Sequence, residues 1–245
     1  MGSRIESGNF TPQNIPFAVH RAFLLWEASP QHPNNLKKLS SILRWEAQKP
    51  KSISSEYWEK TLGADIRDTT HLRLTYGISC FFLKHQKGAS IQFTSEEEDI
   101  VKLLAITHDW PEAILGDVPA ASKSEEDRTQ ERIQYGEIAR VVLQTEPVLL
   151  EKVLEAGEHL NNPDTKVGRA FTVIEHIGYL RLCLLAGKKT DEISNKKGQK
   201  NEEFAIFFNL FNMGSRIAGE ELKWLIKNGR EYPAVQQFLK AWKMG

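Results

Sequence analysis

The chain has only two cysteines in 245 residues, Cys80 and Cys183, too few for a disulfide framework. Both sit in apolar runs with helical spacing and read as small buried hydrophobes. No apolar run approaches the ~18 residues that suggest a membrane span, and MGSRIESGNF offers no apolar core for a secretion signal. A myristoylation signal is missing as well, because the Ser or Thr wanted four residues after Gly2 is Glu6. Excess charge of one sign is also lacking: Lys+Arg and Asp+Glu number 32 each. Zero net charge argues against the broad basic face that nucleic-acid polymers or anionic membranes attract. Repeats, Gly-rich phosphate loops, Cys-x-x-Cys pairs and long alternating strand patterns are absent. Together these absences predict a soluble, cytoplasmic, all-α protein, long enough to bury a core without staples.

What is present is helical periodicity. Residues 1–14 are polar and read as a flexible N-terminus, with 15–245 as a single all-α domain. Helices are expected over Ile15–Ala28, with Phe17, Phe23, Leu24 and Trp26 available for burial, and over Leu36–Glu46, capped by Asn35. Further helices are expected at Ser54–Leu62, at Arg67–Gln86 and after a capping box formed by Thr94 or Ser95 with Glu97 or Glu98. VPAASKSEEDRTQ reads as a polar loop and charged helix start leading into Ile133–Leu143; Pro147–Leu160, Lys166–Ala186 and Glu202–Ile226 complete the set, and 188–200 reads as a polar loop. Phe204, Phe207, Phe208 and Phe211 form a stripe suited to a core or to the seam of a homodimer.

The chemistry concentrates in Leu103–Asp117, LLAITHDWPEAILGD. An apolar run, Leu103 to Ile106, leads directly into His108 and Asp109, so a buried helix ends by presenting two adjacent metal-capable groups. Pro111 suits a first helical turn, since it has no N–H to lose there. Glu112 follows Asp109 by three residues and His108 by four, which places it beside both on one helical face. Gly116 suits a helix stop, and Asp117 follows it. A carboxylate at the inner end of an apolar helix is costly unless paired, and a metal or cationic partner is the natural remedy. His71 opens the helix that begins near Arg67, and the short KGASIQF loop sets this helix and the one carrying His108 antiparallel. Glu175 and His176 interrupt the apolar run of Lys166–Ala186 and need partners there. His176 lies about 100° round the helix from Glu175 and reads as a hydrogen-bonded core or interface residue. His20 and His32 read as structural or surface residues, and His85 as solvated.

HDWPEAILGDVP resembles the His-Asp-x-x-Glu-Ala-x-x-Gly-Asp-Ile-Pro signature of the HD-domain metal-dependent phosphohydrolases, in particular the branch containing 5′-deoxynucleotidases. The resemblance runs from Arg67 to Gly187, with the HD core at about 65–187 and helices added on both sides. It implies that His71, His108 and Asp109 are metal ligands, with the fourth taken from Glu175, which stands near Tyr179-Leu180 where the family has Asp. It further implies Arg67 and Lys123 as phosphate contacts. Trp58 resembles a sugar-contacting residue, with a core aromatic as its other reading.

The chain departs from the family at Thr70, where an acidic residue usually precedes the histidine, and at Glu175. No His-x-x-x-His follows His108, which argues against two-metal HD sites, and Ala113 departs from the pattern of the guanosine-tetraphosphate hydrolases. Two His, one Asp and one Glu suit one divalent ion: Mn, Co, Fe, Ni or Zn. Glu112 and Asp117 would move protons and orient water. The expected activity is hydrolysis of a phosphate ester of a (deoxy)nucleotide or a similar small phosphorylated metabolite. A metal-binding or nucleotide-sensing module without catalysis is the alternative.

Overall fold

The computed structural model describes residues 15–42, 67–116, 123–194 and 218–244, with side chains for all of these except 182–194 and 241–244. Helices make up the architecture: α1 (Ile15–Glu27), α2 (Asp68–Gln86), α3 (Ser95–Thr107), α4 (Glu112–Leu115), α5 (Glu125–Val142), α6 (Pro147–Gly157), α7 (Lys166–Ser194), α8 (218–228) and α9 (Pro233–Met244). No sheet occurs among the described residues, as the all-α expectation requires. None of the described helices is long and apolar enough to cross a membrane.

α3 is the centre of the packing, with α1, α2, α6 and α7 against it. Its start is fixed locally. The Thr94 Oγ1 accepts the Glu97 N–H at 3.2 Å and Glu97 Oε2 accepts the Thr94 N–H at 2.8 Å, so two otherwise orphaned donors are satisfied. Lys166 at the start of α7 pairs with the same Glu97 and ties the two helices together. Leu103, Leu104, Ala105, Ile106 and Thr107 are all buried, which leaves the end of α3 with no solvent face. Each fully buried Leu or Ile contributes roughly 1.5–3 kcal/mol, so this run anchors the turn at the end of the helix.

In that turn Trp110 is fully buried, stacked on Phe23 of α1 at 5.0 Å and on Tyr135 of α5 at 6.2 Å. The Tyr135 hydroxyl meets Thr107 Oγ1 at 2.7 Å. The connection between α3 and α4 is therefore clamped from both sides.

Several boundaries differ from the expectation. Leu36–Glu46 is not an α-helix in its described part, where only a 3-10 turn, Leu39–Ser41, forms after Lys38 rather than Asn35. Tertiary partners take its backbone groups: the Lys37 N–H goes to the Ala113 carbonyl at 2.8 Å, the Ser40 N–H to Glu27 Oε1 at 3.1 Å, and the Ser40 carbonyl accepts from Arg67. α7 runs on to Ser194 instead of ending at Ala186. Its Lys- and acid-rich end is polar without being helix-breaking. α5 is not among these departures: it starts at Glu125, within the charged helix start expected ahead of Ile133, on a capping box between Ser124 and Asp127. On α1, Phe23 is buried and Trp26 half-buried, whereas Phe17 and Leu24 stay exposed, and α9 is an additional helix beyond those expected. Residues 1–14, the piece at 54–62 and the phenylalanine stripe at 204–211 lie outside the described residues, as does the Cys183 side chain.

Candidate metal centre

Two helix ends build the site. His108 is the C-cap of α3, its N–H bonded to the Leu104 carbonyl at 2.9 Å. The same carbonyl lies 3.2 Å from His108 Nδ1. With the Nδ1 proton donated there, Nε2 presents its lone pair, the arrangement by which a second partner fixes the tautomer of a metal-binding imidazole. His71 sits in the first turn of α2, four residues after the N-cap Arg67. Its Nε2 lies 3.3 Å from His108 Nε2, with the rings edge to face. Two ring nitrogens facing each other this closely need a proton or a cation between them.

Asp109 completes the group, with Oδ1 at 3.2 Å from His108 Nε2 and Oδ2 at 3.7 Å from His71 Nε2. One ligand atom from each of His71, His108 and Asp109 falls within 4.8 Å of the others, and all three residues are buried. Mixed nitrogen and oxygen donors of this kind suit a borderline divalent ion. A second trio, Asp68, Asp109 and Glu112, shares Asp109 and meets the same spacing with oxygen donors alone. Sequence reasoning does not single out Asp68, because the family pattern puts the acidic residue directly before the histidine. The usable signal is its place three residues before His71, on the same face of α2.

α7 closes the site from the side with residues one helical turn apart. Phe171 meets the His108 ring edge to face at 5.2 Å. A Cβ added at Gly178 would stand 4.0 Å from His71 Cε1, an ordinary contact distance that places this turn of α7 beside the imidazole. Between them Glu175 reaches Oε1 to 4.0 Å from His108 Nε2. Burial raises the Glu175 carboxyl above its usual range and the nearby Asp109 charge adds to this, while His108, Lys123 and His176 pull the other way.

Lys123 faces the cluster from the start of α5. Burial alone would lower its ammonium, but Glu131, then Glu112 and Asp109, more than offset this and raise it. Its direct ion pair is with Glu131, which also accepts from Asn161 Nδ2 at 3.0 Å.

The structure thus brings His71, His108 and Asp109 together, sets Glu112 among the acids beside them, and holds Glu175 and Lys123 at the margin. Arg67 donates to the Ser40 carbonyl and so joins the 3-10 turn to α2. Gly116 does end α4, with φ 78° and its N–H on the Glu112 carbonyl at 2.8 Å. Asp117 and Trp58 lie outside the described residues. His176 is held by Glu221 and by the face of Trp224 at 3.7 Å, in keeping with a packed, hydrogen-bonded role. His85 is half-buried rather than fully solvated, its Nδ1 2.8 Å from the Phe81 carbonyl and its ring against Phe81, and His20 and His32 are half-buried as well.

No family model, curated protein or solved structure matches this chain.

Proposed function

We propose that the chain is a divalent-metal-dependent phosphohydrolase of the HD type, acting on the phosphate ester of a (deoxy)nucleotide or a similar small phosphorylated metabolite. The observation that carries this reading is the buried convergence of His71, His108 and Asp109 from two helices. The HDWPEAILGD sequence that delivers two of the three supports it. A divalent ion held there would polarise a phosphoryl oxygen and lower the pKa of water beside it.

The chain's own residues supply the rest. Glu112 is almost fully buried beside Asp109, so its carboxylate is positioned to take a proton from the attacking water or to return one to the leaving oxygen. Lys123, kept charged, would meet the phosphate, and Glu175 would join the ligand set with its longer side chain. Phe171 packs edge to face on the His108 ring and so supports it from α7.

A second reading is a metal-binding or nucleotide-sensing module without turnover. The engagement of Lys123 by Glu131 favours it, because that cation is already neutralised. The two readings separate in one assay: the full chain with Mn or Co and a panel of nucleoside mono- and triphosphates, scored for phosphate, pyrophosphate and nucleoside. Hydrolase activity predicts release of phosphate from at least one of them, abolished by EDTA. Tight nucleotide binding with no release would leave the sensing reading in its place.

A further inference from the structure

A cavity lined by none of the cluster residues adjoins them in the fold. It has a volume of about 530 Å³ and opens between α1 and the first turns of α2. That volume is within the range of roughly 300–1,000 Å³ typical of small-molecule sites. The inner face of α2 carries Asp68, His71 and Thr75 to the cluster and core, whereas the cavity is lined by Thr69, Thr70, Arg73 and Tyr76. At 100° per residue, Thr69 and Arg73 lie about 200° round the helix from His71. The same two turns of α2 therefore present different groups to two different spaces.

The walls are apolar and aromatic. Phe17 and Tyr76 meet edge to face at 5.4 Å, with Leu24 and Ile106 completing the surface. Phe17 is 60% exposed although α1 packs its other face on α3, so an aromatic surface stands open at the cavity mouth. The polar end is cationic. Among the described residues Arg73 forms no ion pair and no hydrogen bond, and His20 Nδ1 is a buried atom with no hydrogen-bond partner. Of the described carboxylates, Glu27 lies within electrostatic reach of His20, but its Oε1 accepts the Ser40 N–H. A guanidinium and an imidazole held close together without a bridging anion, above two threonine hydroxyls, form a receptor for negative charge.

We propose that this cavity binds a small organic anion with a flat apolar body, its ring packed against the Phe17–Tyr76 pair and its anionic group on Arg73, beside His20. The occupant is a ligand separate from any phosphate ester at the metal cluster. Burial and the Arg73 cation both hold the His20 imidazole below its ordinary value, a pressure that a bound anion relieves.

A charge-matched series tests this on the full chain: 2-naphthalenesulfonate, 2-naphthalenemethanol and 2-naphthylmethylammonium, titrated by calorimetry. The sulfonate should bind at least about ten-fold more tightly than the alcohol, with the ammonium weakest. Arg73→Met should erase that preference and Arg73→Lys restore part of it. Arg73 is exposed, and unchanged far-UV circular dichroism would show that both variants fold. His108→Ala should leave the preference intact. Equal binding of sulfonate and alcohol would reduce the cavity to a greasy cleft and overturn the assignment. So would an anion preference that survives Arg73→Met but is lost in His108→Ala, which would put the anion at the metal cluster.

Discussion

Two histidine–carboxylate groupings meet α7 at neighbouring residues, Glu175 and His176, and behave differently. At the centre, His71 and His108 turn ring nitrogens toward each other at 3.3 Å with Asp109 alongside, so several donors converge on one point. At the junction of α7 with α8, His176 has a carboxylate from Glu221 and the stacked face of Trp224, an interplanar angle of 14°. The second grouping is satisfied within itself and holds one helix to another. The first turns two ring nitrogens and a carboxylate toward one point, a mixed donor set of the kind that suits a divalent ion. Proximity of one His to one acid does not mark a functional site; convergence of several ligand atoms on one buried point is the stronger sign.

The sharpest break in that comparison should come from Glu112. Under the proposed function Glu112→Gln removes the proton-transfer group while keeping its shape, and turnover should fall by roughly 10²-fold or more with metal content near normal. Metal and activity lost together, by elemental analysis alongside the phosphate assay, would show that Glu112 is a ligand.

Next in size is Glu175. Glu175→Ala should weaken metal affinity by roughly 10–100-fold, whereas Asp164→Ala, an exposed acid near the start of α7, should leave it unchanged. If titration with Co shows the reverse order, the margin of the site has been assigned to the wrong residue.

A smaller effect is expected at the peripheral pair. Trp224→Ala should cost about 1–2 kcal/mol of stability, the scale of a lost aromatic stack and part of its burial, and should leave metal binding intact. Chemical denaturation measures the first and calorimetry the second.

The smallest effect concerns pH. The folded chain holds the His20 imidazole below its unfolded value of about 6.5, chiefly by burial, then by Arg73, against a weaker opposing pull from Glu27. The unfolded chain therefore binds that proton more readily, so His20's contribution to stability falls as pH drops below about 6.5 and levels off below the folded value. His20→Gln should remove that component, seen as a shallower loss of stability between neutral and mildly acidic pH. An unchanged slope would show that other groups set the acid response.

Much of this is legible in the chain. The run from Leu103 to Ile106 announces a buried helix, and the structure buries all four. Thr94 with Glu97, and Gly116, mark their helix ends through local hydrogen bonds that depend only on neighbours. His71 is placed by the length of a helix, a loop and a returning helix. The features that escape sequence reasoning are those that depend on distant partners. Asp68 gains its meaning from Asp109 and Glu112, which the fold brings from another helix end. The stretch after Asn35 has helical composition, but Glu27, Arg67 and Ala113 claim its backbone groups. Phe17 has the spacing of a core residue yet stands open, lining the cavity beside α2 with its ring against Tyr76.

The central claim is that the central histidines bind an ion and the peripheral one does not. Elemental analysis of the full chain after loading with Mn or Co and desalting tests it directly, comparing the parent with His108→Ala, Asp109→Ala, His176→Ala and His159→Ala. The account predicts stoichiometric divalent metal in the parent, His176→Ala and His159→Ala proteins and its loss from the other two. Metal kept in both His108→Ala and Asp109→Ala, or lost equally from all four variants, would contradict it.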